Sequence, residues 1–190
     1  MSRKDVHFLE EQAVVVDDFD TAGHILDIGG GGEGVIGQLK GEKVIAIDPS
    51  RRELEEAPPG PLKIVMDGRE LKFLDGTFQT ATAFFTLMYL HERSDCERVF
   101  REAFRVLEPG GRFLIWDAVI PICLDPEKEI VAFYLKVELP DREISTGYGT
   151  RWPAEEYNLA YYLSIAERAG FTVRSQDDRG AHFVLELTKS

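Results

Sequence analysis

The sequence predicts an α/β fold, a doubly wound and mostly parallel sheet with helices on both faces. Three observations carry this reading. Short apolar runs alternate with segments of helical spacing along the first two-thirds of the chain. The run Ile25-Leu26-Asp27-Ile28 breaks into Gly29-Gly30-Gly31-Gly32-Glu33-Gly34, five glycines in six residues. Successive apolar runs also end in acids: Asp27, Asp48, Asp67 and Asp117.

The elements follow in order. Residues 1–22 are polar apart from Val14-Val15-Val16, and are expected to form a short helix or an arm lying over the glycine turn. Residues 24–28 read as a buried strand that enters a tight turn, where glycine permits positive φ and close approach of a ligand. A short helix is expected at 35–39. Lys43-Val44-Ile45-Ala46-Ile47 is almost unbroken apolar sequence, as a strand covered on both faces should be, and stops at Asp48-Pro49-Ser50. A brief helix at 51–56 is ended by Pro58-Pro59-Gly60-Pro61, and 62–66 is the third strand. Residues 80–86 form the fourth. Val99, Phe100, Ala103, Phe104, Val106 and Leu107 give 95–107 an amphipathic helical stripe, which Pro109-Gly110-Gly111 ends. The fifth strand, 112–116, closes on Asp117.

Simple alternation then stops. Residues 129–138 and 143–150, joined by Leu139-Pro140-Asp141-Arg142, predict a β-hairpin inserted after strand five, within 127–152. Trp152-Pro153 is expected to open a helix that runs to about residue 169, where Gly170 caps it. Residues 171–175 and 182–187 read as closing strands around the polar turn 176–180, giving the sheet an antiparallel end. The whole chain, 1–190, is expected to be one domain.

Composition narrows the function. The formal net charge is -12, with 44% hydrophobic and 29% charged residues. Phosphate neutralisation needs Lys and Arg, so nucleic acid is not an expected partner, and neither is an anionic membrane surface. Cys96 and Cys123 are far apart, and Met1-Ser2-Arg3-Lys4-Asp5 is charged with no apolar core behind it, so a cytoplasmic location is expected. His7, His24 and His182 have no ligand spacing, so no metal is expected.

In doubly wound folds nucleotides bind at the carboxyl end of the first strand. Gly29, Gly31 and Gly34 satisfy the G-x-G-x-x-G spacing of dinucleotide folds, so spacing alone leaves a nicotinamide cofactor open. Asp27 weighs the other way. A carboxylate inside the turn repels a pyrophosphate and suits a cationic group such as an amino acid's ammonium. Asp48, 21 residues further on, suits a ribose diol, and Asp67 with Gly68 an adenine edge.

The pattern Asp27-x-Gly29-x-Gly31 resembles the first motif of class I S-adenosylmethionine-dependent methyltransferases. The family's usual third glycine falls at Glu33, with Gly34 one residue late. Phe73-Leu74-Asp75-Gly76-Thr77-Phe78 resembles the family's loop before strand four. Phe104-Arg105-Val106-Leu107-Glu108-Pro109-Gly110-Gly111-Arg112-Phe113 resembles the segment leading into strand five, and Ala166-Glu167-Arg168-Ala169-Gly170-Phe171 a late helix-to-strand step. The resemblance spans roughly residues 23–175. It implies a seven-stranded sheet whose last strand is antiparallel, and S-adenosylmethionine as cofactor with S-adenosylhomocysteine as product. It places Asp27, Gly29 and Gly31 beside the methionine portion, with Gly30 and Gly32 shaping the same loop. It places Asp48 at the ribose, Asp67 and Gly68 at the adenine, and Thr86 and Leu87 near the sulfonium.

The acceptor is expected to be a small molecule, because the segment after strand four lacks the N/D-P-P-Y/F pattern of enzymes that methylate adenine and glutamine nitrogens. Within Leu87-Met88-Tyr89-Leu90-His91-Glu92, His91 is a candidate catalytic base against the plainer reading of a surface residue at a helix start, and Tyr89 a second catalytic candidate that either lines the pocket or simply packs. Asp117 is either a substrate contact or a turn residue. Tyr148, Trp152, Tyr157, Tyr161 and Tyr162 suit an organic acceptor or core packing, with core packing favoured for the last two. The hairpin is either a lid or an edge through which two subunits pair as a homodimer. Two other functions remain open: an NAD-dependent oxidoreductase, although the chain has no Tyr-x-x-x-Lys pair, and a non-catalytic cofactor-binding or scaffold protein.

Overall fold

The computed structural model describes residues 6–190. In chain order the elements are β1 (Val6–Phe8), β2 (Gln12–Val15), β3 (Ile25–Ile28), α1 (Val35–Lys40), β4 (Val44–Asp48), α2 (Arg51–Glu56), β5 (Leu62–Val65), β6 (Phe78–Phe84), α3 (Arg93–Val106), β7 (Leu107–Ala118), β8 (Ile130–Leu139), β9 (Arg142–Arg151), α4 (Leu159–Ala169), β10 (Phe171–Asp178) and β11 (His182–Lys189).

Seven strands form the main sheet in the order β10-β11-β7-β6-β3-β4-β5. All neighbours from β7 to β5 are parallel, and β11 runs antiparallel to both β7 and β10. The doubly wound sheet and its antiparallel last strand are therefore as the sequence implies. Burial explains why β3 is so apolar: all four of its residues are covered. On α3 the buried positions Cys96, Val99, Phe100, Ala103 and Val106 form one stripe of helical period. Phe100 meets Phe113 of β7 edge-on with ring centroids 5.5 Å apart, so the helix is clamped to the sheet. Covering a side chain of this kind contributes about 1.5–3 kcal/mol.

The chain reverses direction across the sheet between β3 and β6. From β3 it proceeds outward through β4 and β5, then returns to β6 on the other side and continues to β7. The crevice outside the carboxyl ends of β3, β4 and β6 is thus the switch point where such folds take ligands.

The hairpin is formed by β8 and β9, paired in continuous register from Ile130↔Arg151 to Leu139↔Arg142. Two expectations need correction. Residues 6–22 contain no helix; β1 and β2 both pair parallel with β8, making a second sheet with the hairpin. The alternation in Gln12–Val15, with Gln12 and Val14 buried and Ala13 and Val15 exposed, is a strand period. The part of that expectation falling on residues 1–5 lies outside the described residues.

The second correction concerns the last helix, which starts at Leu159 rather than at Trp152. Asn158 caps it by accepting the Tyr161 amide at 2.9 Å. Upstream, Tyr157 exchanges two 2.8 Å backbone hydrogen bonds with Ile120, and the Trp152 indole donates to the Lys128 carbonyl. Tertiary pairing therefore holds this stretch out of the helix. Gly170 ends α4 in the left-handed region, φ 98°, with the Phe104 ring where a side chain would stand. Among the described residues no helix is long and apolar enough to cross a membrane.

Candidate active site

The glycine turn is tied down from within. The Gly29 and Gly30 amides both donate to the Ile47 carbonyl, at 2.8 and 3.0 Å; the Gly32 amide donates to Glu53 and the Gly34 amide to Gly31. These donors are spent on β4, α2 and the loop itself. Gly29 has φ 75°, and a Cβ there would overlap the Thr86 side chain; a Cβ on Gly30 would stand 2.5 Å from an Asp27 oxygen. Glycine is needed at both positions because the ends of β3, β4 and β6 crowd together here.

Asp27 sits at the centre. It is fully buried and accepts a 2.7 Å hydrogen bond from the Thr82 hydroxyl of β6. Burial, partly offset by Thr82 and reinforced by the nearby charge of Asp48, pushes its carboxyl up to about 7. Among the described residues no cation answers this charge: Asp27 takes part in none of their ion pairs. Asp48, half-buried at the end of β4, accepts from the Ser50 amide at 2.7 Å. Its own carboxyl is raised by burial, against the opposing pull of the Ser50 and Gly31 amides.

Asp67 follows β5 and is gripped by Arg69, whose Nη2 lies 2.6 Å away and whose backbone amide also donates. Those bonds hold the Asp67 carboxyl below the usual range. Arg69 reaches on to Asp95 of α3 at 2.6 Å. Gly68 is small because Ile28 stands 2.9 Å from where its Cβ would be.

After β6 the chain turns sharply. Phe85 adopts φ 46°, the one non-glycine residue with positive φ among the described residues. Its ring stacks on Tyr148 of β9, with centroids 5.7 Å apart and planes 10° from parallel. Thr86 follows, and Leu87–Tyr89 form a single 3-10 turn. Asp117, at the end of β7, accepts from the Leu87 and Ala118 amides at 2.8 Å each. The Thr86 and Met88 amides also face it. Asp117 is fully buried with its carboxyl pushed up to about 7, and it does not reach the cavity. Of its two sequence readings the structural one holds: it anchors the turn that carries Thr86 and Leu87.

These elements enclose a cavity of about 1060 Å³. Asp27, Gly29, Gly30, Gly31, Asp48, Asp67, Gly68, Thr86 and Leu87 all line it, and so do Tyr89 and His91. Tyr89 is partly exposed, and its hydroxyl is pushed up to about 12, chiefly by desolvation, despite the Gly149 amide that faces it. At neutral pH it is a hydrogen-bond donor, not a base. His91 is exposed at the rim, two residues before α3 begins.

Glu33, to which the sequence reading gave no role, also lines the cavity, and so does Tyr148, one of the aromatics named as suiting an organic acceptor or core packing. Glu33 accepts hydrogen bonds from the hydroxyls of Thr146 and Tyr148, the second at 3.2 Å. The glycine turn is thus fastened to the hairpin. The signal in the sequence was the departure at Glu33 itself, a large acid where the motif has glycine. The remaining aromatics lie elsewhere. Tyr157, Tyr161 and Tyr162 pack on one another in the core, and Trp152 faces His7.

The residues present fit S-adenosylmethionine: buried acids for an ammonium and a diol, a close-packed glycine turn, and an apolar wall at Leu87 and Phe85. Comparisons with known proteins agree. A family model described as "Methyltransferase domain" matches residues 26–115. The chain is 33% identical over 107 residues to a sterol 4-C-methyltransferase of Caenorhabditis elegans, covering 50% of this chain and 31% of that protein. It is 32% identical over 157 residues to the 6-hydroxytryprostatin B O-methyltransferase of Neosartorya fischeri, covering 79% and 36%. The chain thus spans about a third of the length of these relatives. A S-adenosylmethionine-dependent methyltransferase structure from Methanosarcina mazei superposes with TM-score 0.63 at 16% identity, covering 90% of this chain and 94% of that one, which shows the shared fold. With the ordered motifs and the switch-point cavity, the methyltransferase-domain match over residues 26–115 and the shared fold agree with a resemblance to class I S-adenosylmethionine-dependent methyltransferases.

Proposed function

We propose that the protein transfers a methyl group from S-adenosylmethionine to a small organic acceptor. One observation carries the reading: Asp27, Asp48 and the Thr86–Leu87 turn converge on a single cavity beside the glycine turn. In this reading Asp27 pairs with the methionine ammonium, Asp48 accepts from the ribose hydroxyls, and Gly68 with the strand end at Asp67 borders the adenine. The bound sulfonium supplies an activated methyl group for direct displacement.

The protein's own contribution is placement, which can supply about 7–11 kcal/mol of such a barrier. Asp117 fixes the turn bearing Thr86 and Leu87, and the aromatic pair Phe85–Tyr148 limits water beside it. Tyr89 donates a hydrogen bond to the acceptor. His91, at the rim, takes a proton from the acceptor and passes it to water. A small-molecule acceptor is supported by the partly enclosed, partly aromatic cavity and by the net charge of -12. The names of the two relatives, a sterol 4-C-methyltransferase and a 6-hydroxytryprostatin B O-methyltransferase, point the same way.

The test is turnover. The purified protein, incubated with S-adenosylmethionine and a metabolite panel, is expected to release S-adenosylhomocysteine with at least one member. His91→Ala is expected to lower kcat by about 10²-fold with little change in KM for the cofactor. Binding of the cofactor with no turnover across the panel would favour the non-catalytic reading instead.

A further inference from the structure

The cavity carries more negative charge than the cofactor accounts for. Eight carboxylates line it against a single guanidinium, Arg69, which is already shared between Asp67 and Asp95. S-adenosylmethionine brings one net positive charge, and the function proposed above assigns it Asp27, Asp48 and Asp67. Glu33 has no part in that assignment.

Its surroundings are specific. The Glu33 carboxylate is held by two neutral hydroxyls, Thr146 and Tyr148, both from β9. Among the described residues no ion pair includes it. Four Phe and Tyr residues, Phe84, Phe85, Tyr89 and Tyr148, line the same cavity. Glu33 is close enough to raise the pKa of both the Tyr89 and the Tyr148 hydroxyls. A carboxylate oriented by neutral donors, beside aromatic rings in a partly enclosed space, favours an ammonium over a neutral or anionic group of the same size.

We propose that the methyl acceptor is an amine, and that Glu33, with Tyr89 and Tyr148, recognises its nitrogen. This rests on the methyltransferase function proposed above. In the reaction the bound ammonium first gives one proton to water, through His91 or directly; the neutral amine's lone pair then forms the new bond to the methyl carbon, and the electrons of the broken carbon–sulfur bond stay on sulfur. Positive charge passes from sulfur to nitrogen, where Glu33 favours it as it develops. A primary or secondary amine then gives up one proton, through His91 or directly to water, and a tertiary amine keeps the charge.

Binding rather than turnover tests this. Protein saturated with S-adenosylhomocysteine is titrated calorimetrically with matched sets: phenethylamine, 2-phenylethanol and 3-phenylpropionate, and hexylamine, hexanol and hexanoate. An amine is expected to bind at least about tenfold more tightly than its neutral and anionic partners in one set or both. Glu33→Gln, which keeps an oxygen for Thr146 and Tyr148, is expected to lose about tenfold in amine affinity and to keep its affinity for S-adenosylhomocysteine within about twofold. Absence of amine binding in both sets, equal binding of amine and alcohol, or unchanged amine affinity in the variant would each overturn the inference. A matching loss of cofactor affinity in Glu33→Gln would also overturn it, assigning Glu33 to the methionine ammonium. Failure of the wild-type protein to bind S-adenosylhomocysteine would instead overturn the proposed function beneath it.

Discussion

Asp27 and Asp117 are both buried carboxylates pushed up to about 7, yet they do different work. Asp117 is satisfied by backbone amides of the turn after β6. Asp117→Ala strands those donors in the interior, at a cost of about 3 kcal/mol. Thermal unfolding is expected to show a midpoint about 6–12 °C lower. Asp27 has one hydroxyl partner and an unmet charge. Asp27→Asn is therefore expected to leave the free protein as stable or more stable at pH 8, while S-adenosylmethionine affinity falls by at least about tenfold. The same acid makes binding depend on pH. The ligand ammonium favours ionised Asp27, so below pH ~7 binding must first release a proton. Affinity measured by calorimetry is expected to fall about tenfold per unit below that point, level off above it, and lose this dependence in Asp27→Asn.

At the scale of elements, the hairpin depends on β9 residues facing two ways. Tyr148 stacks on the strained Phe85 and also donates to Glu33, so it joins the hairpin to both the β6 turn and the glycine turn. Tyr148→Ala is expected to raise hydrogen exchange across residues 142–151 while β3, β4 and β6 stay protected; faster exchange throughout would mean the hairpin supports the main sheet. The elements of that sheet were legible because buried parallel strands announce themselves as apolar runs, and α2 could be bounded from Ser50 and the proline cluster after it. The hairpin was legible from its alternation and turn. The N-terminal strands were not, since β1 has only three residues and β1 and β2 gain their stability from β8, more than 110 residues away. The start of α4 was misjudged for a related reason: Pro153 is a sound helix opener locally, but the pairing of Tyr157 with Ile120 overrides it. At the site, the acids at strand ends could be read from order and spacing. The seam between Glu33, Thr146 and Tyr148 could not, because it joins residues with no periodic relation to each other.

For the molecule as a whole, two sets of acids set the pH dependence of stability in opposite directions. Asp67 and Glu102 are held below the usual carboxylate range by Arg69 and Arg105, so they stabilise the fold at neutral pH and lose that contribution in acid. Asp27 and Asp117 bind their protons more tightly folded than unfolded. Their folded state is favoured below pH ~4 and loses that advantage steadily up to pH ~7. The free protein is therefore expected to be most stable near pH ~5, and its unfolding midpoint to fall by several degrees between pH 5.5 and pH 8. S-adenosylmethionine is expected to flatten that decline by pairing with Asp27. A midpoint that rises over the same interval without ligand would show that these two acids are not buried as described.

The central claim is that the switch-point cavity is built for S-adenosylmethionine and not for a dinucleotide. Calorimetric titration of the wild-type protein and Asp48→Ala with S-adenosylmethionine, S-adenosylhomocysteine and NADH tests it most directly. The account predicts micromolar binding of the first two, a loss of at least about tenfold in the variant, and no NADH binding. Binding of NADH alone, or cofactor affinity indifferent to Asp48, would contradict it.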